Sequence, residues 1–287
     1  MNNPLQKYMR SPKIYAKLPS RGKYYTEEVI ELSSATDEVG ILPMTANDEL
    51  TLTTPDALLN GEGIKEVVQS CCPSVKNAGL LTSGDIDVIL LGIRYSSYGD
   101  KLPFVSKCPK CGYENKFSAS IRAMLESIEF LDPPYVVELN KNLKVFVKPH
   151  TYNVNTKISL QAFETSKLLK AIQTKELEDL EEIAKYNSSF RKIAEISVEI
   201  ILDAIDKVVI SENGNKVEVK DAQQIFEWLK NISKKEVDAI REKIKEINTI
   251  GPKRNIEVQC ENRINENELC NHVWETVVEF NPSDFFD

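Results

Sequence analysis

The chain has 287 residues, 41% of them hydrophobic, which is enough for one large or two ordinary domains with real cores. Its 36 basic and 44 acidic residues leave a net charge of −8, which argues against bulk binding to nucleic-acid phosphates and suits a soluble protein with protein partners. No apolar run approaches the roughly 20 residues that span a bilayer. Met1–Arg10 lacks the apolar core of a secretory signal, so a reducing cytoplasm is the expected compartment.

Residues 1–27 are polar and carry Pro4, Pro12 and Pro19, which reads as an extended arm. Its turn-rich, aromatic stretch Leu18-Pro19-Ser20-Arg21-Gly22-Lys23-Tyr24-Tyr25 makes docking onto a surface the expectation. Residues 28–34 and 39–43 predict a hairpin around Thr36-Asp37-Glu38. Thr45 followed three residues later by Asp48 is a helix-entry cap. Short helices follow at Asp48–Leu52, Ala57–Asn60 and Ile64–Cys71, closed by Pro73. The vicinal Cys71 and Cys72 are read as small buried hydrophobes. Gly61 and Gly63 have neither a strand before them nor a lysine–hydroxyl pair after them, so no phosphate loop is expected. Ser83 opens a core helix with Ile86, Ile89, Leu90 and Ile93 on one face.

Residues 135–148 predict a hairpin turning at Asn140-Lys141-Asn142. Helical patterns then run over Val154–Ile172, Lys175–Tyr186 and Phe190–Val208. Asn213-Gly214 between Val208–Ile210 and Val217–Val219 is a two-residue turn signal. Asp221 opens a helix carrying Phe226, Trp228 and Leu229, and Ser233 caps another through Ile247. Lys, Glu and Arg interleave on that last helix, the pattern of a solvated face. Gly251-Pro252 ends it, and the strand Ile256–Gln259 follows.

The chemistry lies in two cysteine clusters. Cys108-Pro109-Lys110-Cys111-Gly112 is a tight knuckle; Cys260 and Cys270, followed by Asn271-His272, form a wider one with Glu261–Leu269 inserted. Zn²⁺ takes four tetrahedral ligands and favours thiolates in structural sites. Gly112 and Asn271 both tolerate the positive φ that the residue after a knuckle cysteine adopts. Period-two runs follow each cluster: Phe117, Ala119 and Ile121 after the first; Trp274, Thr276, Val278 and Phe280 after the second. The pattern predicts a structural zinc ribbon with ligands Cys108, Cys111, Cys260 and Cys270, His272 being the alternative fourth ligand. Redox use is disfavoured, because a thioredoxin-like motif opens a helix and a strand-like run follows here. With two histidines, His150 and His272, a catalytic metal site is not expected. The carboxylate clusters at Asp85/Asp87 and Glu178–Glu182 lack a partner of different pKa, so no enzyme activity is read from them.

Together, Leu18-Pro19-Ser20, Met44-Thr45-Ala46-Asn47-Asp48-Glu49, Leu58-Leu59-Asn60-Gly61, Ser70-Cys71-Cys72, Asp85, Arg94-Tyr95-Ser96-Ser97-Tyr98-Gly99 and Cys108–Cys111 resemble the baseplate hub assembly proteins of T-even-like contractile-tailed phages. The closing Cys-x-His-x-Trp and Asp284-Phe285-Phe286 look like that family too. The resemblance covers the first 120 residues well, the last 30 moderately and the middle helices weakly. It implies a virion-assembly protein without catalytic activity. Such a protein binds hub or tail subunits in the host cytoplasm and either leaves or remains in the virion baseplate.

The expected fold is α+β, mainly helical, with a small zinc-ribbon-like β module and short hairpins. The expected divisions are an arm (1–27), an α+β module with the first knuckle (28–124), a hairpin plus helical insertion (125–255), and the second knuckle with a closing strand (256–287). Candidate partner-binding residues are Tyr24, Tyr25, Met44, Asp48, Glu49, Phe285 and Phe286. The competing reading is a zinc-ribbon nucleic-acid-binding protein. Lys107, Lys110 and Lys116 favour it; Glu261, Glu266, Glu268, Glu275 and Glu279 oppose it.

Overall fold

The computed structural model describes residues 5, 8–32, 36–52, 61–174, 180–212, 215–265 and 268–278. The chain divides into two units: Met1–Ala78, Gly84–Phe130 and Ile250–Asp287 form one, Gly79–Ser83 with Leu131–Thr249 the other.

In the first unit, strand β1 (Ile14–Lys17) pairs antiparallel with β2 (Glu38–Ile41), Ile14 opposite Ile41. Alternation sends Ala16, Val39 and Ile41 inward, and Leu18 next to β1 is fully buried. The partner of β2 is thus the N-terminal segment, and the hairpin expected between 28–34 and 39–43 does not form among the described residues. Ile30 instead bridges Val75, and the Val29 carbonyl accepts from Lys76 N–H at 2.9 Å. Long-range burial of Ala16 and Leu18 outweighs the local turn signal.

Helix α1 (Ala46–Leu52) begins at a reciprocal cap: Thr45 N–H and Oγ1 donate to Asp48 Oδ2 at 2.7 and 2.8 Å, and Asp48 N–H returns to Thr45 Oγ1 at 3.2 Å. Helix α2 (Glu62–Cys71) buries Ile64, Val67, Val68 and Cys71 on one stripe. Helix α3 (Ser83–Tyr98) is buried nearly all round, including Ile86, Ile89, Leu90 and Ile93. Its Asp85 holds the turn at 18–25: Ser20 N–H donates to Oδ1 at 2.9 Å and the Tyr25 hydroxyl to Oδ2 at 2.5 Å. Arg21 (φ 50°) and Gly22 (φ 72°) make that turn left-handed.

Two hairpins complete this unit. Strands β3 (Lys101–Lys107) and β4 (Glu114–Ser120) pair over seven residues, then helix α4 (Ile121–Glu126) starts on the Ser120 side-chain cap. The second unit follows in the chain. Strands β5 (Tyr135–Asn140), β6 (Leu143–Val147), β7 (Ile205–Glu212) and β8 (Asn215–Val219) form one antiparallel sheet in that order. Helices α5 (Tyr152–Thr174) and α6 (Leu180–Asp203) connect β6 to β7. Helices α7 (Ala222–Asn231) and α8 (Lys234–Asn248) follow β8; α8 starts at a Ser233–Glu236 capping box and buries Ile240, Ile244 and Ile247. Back in the first unit, β9 (Asn255–Gln259) pairs with β12 (Val273–Val277), with a small hairpin of β10 (Arg263–Asn265) and β11 (Glu268–Leu269) between them.

The expectation of a mainly helical chain is overturned. Helices hold 43% of the structure and strands 27%, so α+β is correct without the helical emphasis. Two causes stand out. The stretch read as helix through Val208 leaves the helix at Asp203, because Ile205, Val208, Val209 and Ile210 pair with β6. Strand β3 is also a full partner of β4 where no strand was expected. The helices Lys175–Tyr186 and Phe190–Val208 are continuous in α6 from Leu180, since Asn187-Ser188-Ser189 only weakens a helix and contains no proline. Ala57–Asn60, Asn213-Gly214 and Phe280 lie outside the described residues, although Glu212 and Asn215 do pair across that Asn-Gly.

Candidate metal centre

The β3–β4 and β9–β12 hairpins each end in a knuckle whose first cysteine donates its N–H to the carbonyl two residues past the second cysteine. After β3, Cys108 N–H donates to the Tyr113 carbonyl and Gly112 N–H to the Cys108 carbonyl, both at 2.9 Å. Gly112 has φ 71°. After β9, Cys260 N–H donates to the His272 carbonyl and Cys270 N–H to the Asn262 carbonyl, both at 2.8 Å. Asn271 has φ 46°, the left-handed position expected of it.

The two knuckles face each other. The Sγ atoms of Cys108, Cys111, Cys260 and Cys270 all lie within 4.8 Å of one another. Cys108 Sγ is 3.8 Å from Cys270 Sγ and Cys111 Sγ is 3.6 Å from Cys260 Sγ. Four thiolates about 2.3 Å from a tetrahedral metal would stand about 3.8 Å apart, and a disulfide would need about 2.05 Å. The donor set and spacing therefore fit a four-coordinate, thiolate-bound metal. Cys108, Cys260 and Cys270 are buried, and Cys111 is the most exposed of the four.

Two asparagine amides point into this cluster. Asn115, on β4 and 2% exposed, donates Nδ2–H to Cys260 Sγ at 3.6 Å and to the Tyr113 carbonyl at 3.1 Å. Its Oδ1 accepts Glu261 N–H at 2.9 Å, so one side chain ties the early knuckle to the late one. Asn262 donates to Cys111 Sγ at 3.6 Å. The Cys111 thiol is lowered to about 6, chiefly by the Tyr113 backbone hydrogen bond, with Asn262 assisting. Burial pushes Cys270 up to about 11. Neither asparagine was legible as a site residue, because nothing in the local spacing separates them from loop asparagines.

Trp274 of β12 covers the cluster. Its Nε1–H donates to Ser106 Oγ at 3.2 Å, its ring meets Phe117 edge-on at 5.9 Å, and Ser106 Oγ lies 3.0 Å from Thr276 Oγ1. The hairpins are thus joined by side chains as well as by thiols. His272, the alternative ligand, stacks on Trp274 with ring centroids 6.1 Å apart and is outside the thiol group.

The expected partner-binding residues are scattered. Glu49 is exposed and accepts from the Tyr98 hydroxyl at 3.1 Å; Met44, Tyr24 and Tyr25 are half-buried. Asp48 is 4% exposed and turned inward. Arg10 Nη1 donates to Asp48 Oδ2 at 3.0 Å and to the Pro43 carbonyl at 2.9 Å, while Nη2 reaches the Ser70 carbonyl and hydroxyl at 2.8 Å. Burial would raise the Asp48 pKa, but hydrogen bonds from Thr45 and Ser70 and the Arg10 charge hold it below the usual carboxylate range. Beside it, burial pushes the Cys71 thiol up to about 12, and Cys72 goes to about 11 for the same reason, so both behave as core residues. Phe285 and Phe286 lie outside the described residues.

An α+β chain whose two hairpins meet at one thiol cluster is the class that this geometry defines. The chain matches the T4 bacteriophage base plate protein family over residues 11–287, and it belongs to that family. No curated protein and no solved structure matches it. Membership supports a phage tail baseplate setting, with tail proteins as partners. No helix among the described residues is long and apolar enough to cross a membrane.

Proposed function

We propose that this baseplate protein acts without catalysis in assembling the hub of the contractile tail. It binds hub and tail subunits in the host cytoplasm, and Zn²⁺ on Cys108, Cys111, Cys260 and Cys270 holds the binding-competent shape. The observation that carries this reading is the meeting of four thiols, all within 4.8 Å of one another, from knuckles 149 residues or more apart. Zn²⁺ has no redox chemistry, and four thiolates leave it no open position, so its contribution is to stability. The Trp274 cover and the asparagine contacts support a closed, structural site.

The metal half of this reading is tested by elemental analysis of the purified full chain, where about one zinc per chain is expected. Metal-free protein with four reactive thiols and unchanged stability overturns it. The assembly half is tested by co-expression with hub subunits and cross-linking. Cross-links at Tyr24, Tyr25, Met44, Glu49 or the Phe285-Phe286 end are expected. Cross-links to partners confined to residues 150–250, or no association, would remove it.

A further inference from the structure

Strand β1 pairs with β2 along one edge; among the described residues its other edge carries no ladder. A groove of about 500 Å³ runs beside it. Residues 13–17 all line this groove; alternate residues of a strand would line a face, so five consecutive ones mark an edge. The opposite wall belongs to the same unit: Leu125 of α4, Ile128 and Phe130 beyond it, and Tyr95 of α3, all half-buried. An open strand edge facing part-covered apolar side chains suits an extended segment of chain. Lys13, Lys17 and Arg122 line the groove against one acid, Glu126. The Asp100 carboxylate beside Arg122 is already taken up by the Ser120 hydroxyl and by Arg122 N–H at 2.8 Å.

We infer that Ser283-Asp284-Phe285-Phe286-Asp287 of the same chain lies extended along this edge of β1. The position and heading of Val278 select this occupant. Strand β12 runs antiparallel to β9, so past Val277 the chain heads back toward residues 254–251. Val278 N–H donates to the Arg254 carbonyl at 2.9 Å, and the Gly251 carbonyl accepts Glu129 N–H at 2.9 Å, between the groove residues Ile128 and Phe130. That route from Val278 to Glu129 is at most about 25 Å, and Phe286, eight residues beyond Val278, reaches about 27 Å when extended. Charge agrees: residues 279–287 contain Glu279, Asp284 and Asp287 and no base, against a groove lined mostly by bases. Neighbouring residues of an extended segment face opposite ways, so Phe285-Phe286 sets one ring on the apolar wall in either register. Tethered beside its groove, this segment outcompetes that of another copy below about millimolar concentration. The inference rests on neither the metal nor the hub reading.

Photo-cross-linking and hydrogen exchange of the purified full chain test it. With benzoylphenylalanine at position 286, in a mixture of isotopically light and heavy chains, cross-links to residues 13–17 or 122–130 of the same chain are expected. Phe285→Ser with Phe286→Ser should speed exchange of the β1 amides by at least about fivefold, because a covered edge is opened. Asp284→Lys with Asp287→Lys should speed it too, and adding Lys17→Glu with Arg122→Glu should recover part of the loss. Cross-links confined to other surfaces, or to light–heavy pairs, overturn the inference, as do β1 amides that exchange within twofold of the parent in the serine variant. The cross-link decides alone if that variant fails to fold.

Discussion

Replacing Asn115 by alanine isolates what holds the two cysteine knuckles in register. The side chain makes three hydrogen bonds, to Cys260 Sγ (3.6 Å), the Tyr113 carbonyl (3.1 Å) and Glu261 N–H (2.9 Å). Neutral hydrogen bonds of this kind contribute about 1 kcal/mol each, and one to a thiolate about twice that. Glu261 is exposed, so water can replace its lost partner, whereas the Cys260 sulfur is 1% exposed and cannot be rehydrated. With the proposed metal on the four thiols, the expected loss is about 1.4–2.8 kcal/mol, or 10- to 100-fold in metal affinity. Asn115→Asp keeps the acceptor for Glu261 but turns a carboxylate oxygen toward the thiolate, and should bind metal more weakly still. Competition with a chromophoric chelator gives the affinities, and the thiolate-to-Co²⁺ charge-transfer band reports the environment of sulfur directly. Affinities of both variants within twofold of the parent, with an unmoved band, would refute the reasoning.

Cys270→Ala should abolish tight metal binding, while His272→Ala leaves it within about twofold of the parent, as four thiolates already complete a tetrahedral shell; the opposite result in the same titration would restore His272 as the ligand. Gly84→Ala should destabilise the chain by about 1–2 kcal/mol, because a Cβ there would lie 2.7 Å from the Ile250 carbonyl oxygen, outweighing the helix propensity gained; an unchanged urea midpoint would contradict this. Burial, opposed by Asp203, lowers the pKa of His150 below 6.5, and its Nδ1 has no hydrogen-bond partner among the described residues. The unfolded chain then takes up the proton more readily, so the stability from the neutral ring is complete above about pH 6.5 and shrinks as pH falls below it. Urea midpoints measured from pH 7 to pH 5 should lose part of their slope in His150→Phe, and a slope that survives assigns the effect elsewhere.

What could be read from the residues alone was whatever has a local cause. The cap at Thr45–Asp48 and the box at Ser233–Glu236 are spelled within four residues, and the long helix read over Val154–Ile172 extends only to Tyr152–Thr174. Cysteine knuckles are legible at any separation because few other residue types bind a metal at that spacing. What was missed depends on distant partners. Strand β1, four residues long, is too short to announce itself, and it exists because β2 and the core receive Ala16 and Leu18. The start of β7 follows a helical pattern until β6 offers it a ladder. Arg10 and Asn115 are ordinary polar residues whose roles arise only where Asp48 and Cys260 are brought beside them.

The cysteine knuckles also set a clock on synthesis. Cys260 is made 149 residues after Cys111, and at 5–20 residues per second that interval is roughly 7–30 s. During it the chain holds half of the thiol cluster, and any chain cut short before Cys270 keeps only part of it. Strand β12 delivers Trp274 over sulfurs that can converge only once the second unit has been completed. Closure of the cluster is thus a chemical record that translation reached the end of the second unit, and a baseplate built only from closed copies would exclude truncated ones.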